Sequence, residues 1–182
     1  MTQVLFNFVK KFSYMSIISK FTVGSEEGID LLFDLKRLQF KQICDGVIEP
    51  EEIDQLIDKK LDRRDAINEL NDLSSQMVIV FENDKPLGYA IVKSSYEQPE
   101  ILEDKKAVYL TFYIAAEYIS QEVYDSLWQK CLSITRSYAH WIELPQNDPL
   151  IPFFERSQFK ICGQSHLKQF DIPSHIMVRN QQ

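Results

Sequence analysis

Apolar and polar residues recur with two different periods along this chain, and the places where the period changes mark its elements. Ser16 to Val23 (Ser-Ile-Ile-Ser-Lys-Phe-Thr-Val) is strand-like and ends at Gly24, a turn residue. Ser25 then opens a helix in which Ile29, Leu32, Phe33, Phe40 and Ile43 fall at helical spacing, with Gly46 breaking the pattern just beyond. Glu49-Pro50-Glu51-Glu52 starts a second helix, because proline is tolerated in a first turn and acids suit its positive end. Ile53, Leu56, Ile57 and Leu61 form its apolar stripe, and Arg64 to Ser75 either continues or restarts it. Met77 to Phe81 and Leu87 to Val92 flank the polar turn Glu82 to Pro86, which predicts an antiparallel hairpin. Tyr96 to Lys106 is polar, charged and interrupted by a proline, so it reads as a loop. Beyond the central stretch come a strand over Tyr138 to Leu144, a short helix over Asp148 to Ser157, and strands at Phe159 to Gly163 and Ile176 to Val178.

That central stretch runs from Ala107 to Ala139. Its first part, Ala107 to Ile114, is β-branched and aromatic with no Gly, Pro or charge, which predicts a strand buried on both faces. Its second part is a helix: Val123, Leu127, Cys131 and Ile134 share one stripe, and Ser120 is placed to cap the first turn. The order is strand, two helices, three strands, helix, strand, short helix, two strands. A hairpin feeding a strand–helix–strand unit implies a mixed sheet with helices on both faces.

Composition narrows the function more than the fold. At 182 residues the chain has room for one full domain, taken as residues 15–182, behind an N-terminal extension of residues 1–14 or a start at Met15. A net charge of −7 disfavours a sequence-independent grip on nucleic acid or anionic lipid. No apolar run reaches the ~18 residues of a membrane span. Cys44, Cys131 and Cys162 are odd in number, widely spaced and apolar in setting, which suits buried free thiols in a reducing cytoplasm. His140, His166 and His175 have no partners at metal-ligand spacing.

Three segments resemble the GNAT superfamily of acetyl-CoA-dependent N-acetyltransferases. Leu87-Gly88-Tyr89-Ala90 is similar to the family's "v-G-f/y-a" strand opening. Asn147 to Phe159 lines up without a gap on N-x-x-A-x-x-L-Y-E-K-x-G-F, and Ser174 to Arg179 looks like the closing strand. Phe112-Tyr113-Ile114 stands where the family has "l-Y-V", with Tyr118 where an aromatic precedes the cofactor loop. The resemblance implies an α/β (α+β) fold with a mixed, mostly antiparallel sheet of about seven strands flanked by helices. It also implies an acyl-CoA cofactor and a small-molecule or protein amine as acceptor.

The resemblance further implies which residues would meet the cofactor: Tyr113 and Ile114, the loop Ile119-Ser120-Gln121-Glu122-Val123-Tyr124, Asn147 on the pantetheine arm, and Phe154. In the family the loop reads Q/R-x-x-G-x-G/A, and its backbone N–H groups bind the pyrophosphate of acetyl-CoA. Glu122 and Tyr124 occupy the two glycine positions here, which puts side chains where the backbone would meet phosphate. Phe154 stands where a tyrosine often protonates the departing thiolate, and it has no proton to give. Glu82 on the hairpin and Glu143 on the later strand are the candidates for a general base, a plain surface carboxylate being the other account of each. Two functions stay open: acyl transfer from acyl-CoA to an amine, and a catalytically inactive protein that keeps the fold for binding or regulation.

Overall fold

A computed structural model of the chain describes residues 16–46, 48–94, 97–167 and 172–181. The expected N-terminal extension, with Met15, and Tyr96 of the expected loop lie outside these. The described residues form β1 (Ile17–Thr22), α1 (Glu26–Cys44), α2 (Pro50–Lys60), α3 (Arg63–Asn71), β2 (Ser75–Glu82) and β3 (Lys85–Lys93). After them come β4 (Ala107–Ile114), α4 (Gln121–Thr135), β5 (Ala139–Pro145), α5 (Ile151–Arg156), β6 (Lys160–Leu167) and β7 (Ile172–Arg179).

The seven strands form one sheet in the order β1-β2-β3-β4-β5-β7-β6. Every neighbouring pair is antiparallel except β4 and β5, which run parallel and are joined through α4, the kind of crossover that parallel pairing requires. Alternation along the central strands divides the core in two. Val78, Val80, Ala90 and Phe112 face Leu127, Trp128 and Phe154 of α4 and α5. Met77, Ile79, Tyr89 and Ile91 face Leu32, Leu35 and Ala66 of α1 and α3. Helices therefore cover both faces, as a strand–helix–strand unit beside a hairpin predicts.

Local chemistry explains the boundaries. Ser25 caps α1, its hydroxyl accepting from the Gly28 N–H at 3.1 Å. The β2–β3 turn is Asn83-Asp84, with φ of 48° and 65°, two residues that tolerate the left-handed conformation a tight hairpin needs. The predicted second helix is two helices. Leu61 and Asp62 are extended, and the Asp62 carboxylate accepts from the Arg64 N–H at 2.9 Å, so α3 starts afresh on its own cap. β6 extends four residues past the expected Gly163 because its half-exposed polar residues pair with β7 at the sheet's edge. The loop before β4 holds a single 3-10 turn, Glu100–Leu102, pinned by fully buried Leu102. Of the cysteines expected to be buried, Cys44 and Cys131 are, and Cys162 on β6 is exposed.

Candidate functional site

β4 corrects one expectation and creates the site. Only its last three residues are buried on successive positions; before them Tyr109 and Thr111 are half-exposed, so one face of the strand is open. β4 and β5 pair only over Ala107–Leu110 and Ala139–Ile142, and then they part. Between the parted strands and α1 lies a cavity of about 1020 Å³. Tyr109, Thr111 and Tyr113 line it from β4, Glu143 and Pro145 from β5, and Asp148 from the turn that follows. Gln39 and Phe40 of α1 and His166 of β6 close other sides.

The cavity's cations are tied down. Lys36 pairs with Glu69 at 3.1 Å, and Lys93 pairs with Asp72 at 3.1 Å. Glu143 and the second oxygen of Asp148 have no hydrogen-bonding partner among the described residues, which leaves acceptors for a ligand that donates. Tyr89 donates to Gln39, and Gln42 accepts from the Ala116 N–H at 3.0 Å, so α1 holds both a wall of the cavity and the turn after β4. Burial, with Glu117 nearby, pushes the Tyr113 phenol up to about 12, so it stays protonated. Among the described residues no group of three or more His, Cys, Asp and Glu could hold a metal ion, and no helix is long and apolar enough to cross a membrane.

At the far end of β4 the chain makes a 3-10 turn, Ala116–Tyr118, and enters α4. The Ser120 hydroxyl accepts from the Val123 N–H at 3.3 Å, while Ser120, Gln121 and Glu122 are all exposed. Tyr124 is not. Its ring is fully buried against Phe112, Phe153 and Phe154, and its hydroxyl donates to Ser157 at 3.0 Å.

The likeness of this chain to known proteins is one of structure. No protein-family model and no curated protein sequence matches it. Solved structures do. The PaiA N-acetyltransferase of Thermoplasma acidophilum, in complex with coenzyme A, superposes with a TM-score of 0.70 at 16% identity, over 91% of this chain and 99% of that one. An acetyltransferase of the GNAT family from Streptococcus pneumoniae gives 0.61 at 12% identity, over 92% and 100%. The aminoglycoside N(6′)-acetyltransferase of Legionella pneumophila gives 0.60 at 17%, over 90% and 91%. The fold is that of the GNAT acetyltransferases.

On this GNAT fold the residues singled out from sequence are scattered. Glu143 and Tyr113 line the cavity. Glu82 does not: it ends β2 and lies across the hairpin from Lys85. Asn147 is exposed in the turn after β5, outside the cavity wall. Ile114, Val123, Tyr124 and Phe154 are core residues, and Ile119 packs against the core from a half-buried position. The expectation that Tyr124 projects over the helix start is corrected, since its ring turns inward to fill the space between α4 and α5. Asp148 lines the cavity without a signal in the sequence, because Asn-Asp-Pro after a strand reads as turn chemistry and nothing local marks it as a cavity carboxylate.

A buried group and a half-buried one give opposed pH dependences in this fold. His140 on β5 is fully buried, its Nε2 is 2.7 Å from the Thr135 hydroxyl, and burial followed by the Arg179 charge pushes its pKa down to about 4. Burial pushes Asp148 up to about 6, against the lowering effect of the Leu150 N–H. Between pH 6.5 and 4 the unfolded chain protonates at His140 while the folded one does not, so stability is lost as pH falls. At Asp148 the folded chain takes up its proton first, so stability is gained over nearly the same interval. Each amounts to about 3 kcal/mol over its whole interval, and in the wild type the two offset one another. Urea midpoints at pH 5.0 and 7.0 are expected to show Asp148→Asn losing stability on acidification and His140→Gln gaining it. Parallel profiles in the two variants would contradict the assignment.

Proposed function

We propose that this chain is a GNAT-type N-acyltransferase, moving an acyl group from acyl-CoA to an amine held in the cavity between β4 and β5. The observation that carries the reading is the parting of those strands after four paired residues, over a cavity whose lining includes Glu143 and Asp148, neither of them ion-paired among the described residues. Beyond Leu110 the main chain of β4 has no strand partner on its β5 side, which leaves N–H and C=O groups for an extended amide-bearing arm. The first turn of α4 suits a diphosphate at the level of the backbone. Ser120, Gln121 and Glu122 are exposed there, the Gln121 and Glu122 N–H groups have no acceptor among the described residues, and the Tyr124 ring is turned away. Glu122 opposes an anion at that place at a cost of ~1 kcal/mol set by screening, and Asp125, which accepts from the Gln121 side chain at 2.8 Å, adds to it.

Acyl-CoA supplies an activated thioester carbonyl. The chain's own residues hold the diphosphate on the α4 amides, orient the amine with Glu143 and Asp148, and exclude water with the aromatic wall of Tyr109, Tyr113 and Phe40. Phe154 is fully buried and gives no proton, so the thiolate is protonated from water.

A second reading, a GNAT-fold binding protein without catalysis, is favoured by one feature. Tyr124 with Ser157, and Gln121 with Arg156 at 2.8 Å, tie α4 to α5 across a packed aromatic cluster. Thermal melting separates the readings. With acetyl-CoA at about 100 times its dissociation constant, a binder gains about 2.7 kcal/mol and melts several degrees later. Glu122→Gly is expected to enlarge that gain. No shift with CoA or acyl-CoA of any chain length would leave only the second reading.

A further inference from the structure

We infer that Asp148, rather than a carboxylate on the strands, takes the proton from the acceptor amine; the inference rests on the acyltransfer reading. Asp148 follows β5 in the turn where β5 has left β4, and it lines the cavity. Its position is fixed at both ends of the residue. The Asp148 N–H donates to Pro145 O at 3.0 Å, and its Oδ1 accepts from the N–H of buried Leu150 at 2.8 Å. The other oxygen has no partner among the described residues, and both cavity lysines are engaged elsewhere. Glu143 shares the cavity but has no hydrogen bond that orients it among the described residues, and Glu82 is outside it.

Burial also places the Asp148 carboxyl at about 6, where it is ionised at neutral pH yet a better base than an exposed carboxylate. The other carboxylates and the histidine that line the cavity are Glu143, Asp65, Glu69, Glu97 and His166, and each needs its own control. In the step itself the amine lone pair forms the nitrogen–carbon bond, the carbon–sulfur bond breaks with its electron pair on sulfur, and the surplus proton on nitrogen passes to Asp148. Water then protonates the thiolate.

The test is transfer from acetyl-CoA to benzylamine, 1,4-diaminobutane and a short peptide with a free α-amine, followed by thiol release between pH 5 and 9. In the wild type kcat/KM is expected to fall below an apparent pKa near 6. Asp148→Asn, which keeps the acceptor for Leu150, should lose about 10²–10⁴-fold and lose that limb, with its melting shift in CoA intact. Asp148→Glu should recover part of the rate with a displaced limb, while Asp65→Asn, Glu69→Gln, Glu97→Gln and His166→Gln keep the limb, and so does Glu143→Gln whatever it does to KM for the amine. Carbon-13 NMR of the labelled Asp148 carboxyl should titrate near 6 and move when benzylamine is added. A carboxyl titrating near 4, or Asp148→Asn retaining the wild-type limb, overturns the assignment and leaves the acyltransfer reading standing. A wild type that transfers to none of these amines, or does not melt later with CoA, overturns both.

Discussion

Gly88→Ala is expected to lower stability by about 3 kcal/mol and to distort the cavity wall with it. A Cβ on Gly88 would sit 2.2 Å from the Tyr113 carbonyl oxygen and 2.9 Å from the Ile114 Cα. Both are backbone atoms, so no rotamer change relieves the clash. Gly88 pairs with Ile114 across β3 and β4, and the neighbouring Ala115 N–H donates to Leu87 O at 2.9 Å, which locks the two strands together at this point. The strands can separate only by moving the end of β4, which carries Tyr113 into the cavity and leads to the first turn of α4. Gly163→Ala on β6 is the control. Its Cβ would meet nothing closer than the Ile176 side chain at 3.7 Å, and the change should stay within about 0.5 kcal/mol. Urea unfolding of both variants checks the contrast, and equal effects would mean the β3–β4 approach is looser than the distances indicate.

Much of this fold is legible in the sequence, for reasons that differ between elements. β4 occupies Ala107–Ile114 as expected, because eight uncharged residues, mostly β-branched and aromatic, between polar segments leave little alternative. α1 and α4 start at Ser25 and Ser120 because a capping hydroxyl is a local signal. The break between α2 and α3 is harder to see, since Leu61 closes one helix and Asp62 caps the next within a continuous polar and apolar pattern. The extent of β6 is hidden for the opposite reason: an edge strand pairs on one side only and needs no apolar alternation.

The site was legible only in part. Tyr113 and Glu143 lie on strands whose periodicity is clear, and both reach the cavity. What makes the cavity, however, is the divergence of β4 from β5, and no residue type in either strand announces where parallel pairing stops. Asp148 shares this obscurity, being a turn residue by composition and a cavity carboxylate by position. At the start of α4 the sequence shows that Glu122 and Tyr124 replace two glycines, but not which way they point. Burial of an aromatic ring is favourable and burial of a lone carboxylate is not, so Tyr124 went into the core and Glu122 into solvent.

Tyr124→Ala is expected to destabilise the protein by about 3–5 kcal/mol, the range for deleting a buried aromatic side chain, and to lower the melting temperature by roughly 10 °C. The ring has no exposure, packs 5.4 Å from Phe112, 5.4 Å from Phe153 and edge-on to Phe154 at 5.3 Å, and its hydroxyl is spent on Ser157. Tyr124→Phe removes only that hydrogen bond and should cost about 1 kcal/mol, so the difference between the two variants measures the packing alone. The same pair of variants bears on function. If a diphosphate rests on the exposed amides of Gln121 and Glu122, deleting an inward-facing ring leaves the melting gain in CoA nearly unchanged. If instead the α4–α5 cluster closes the path of the cofactor, Tyr124→Ala opens it, and CoA should stabilise the variant more than the wild type. Measured at 25 °C, below the variant's lowered transition, CoA affinity therefore distinguishes a surface cradle from a sealed one, independently of any acceptor.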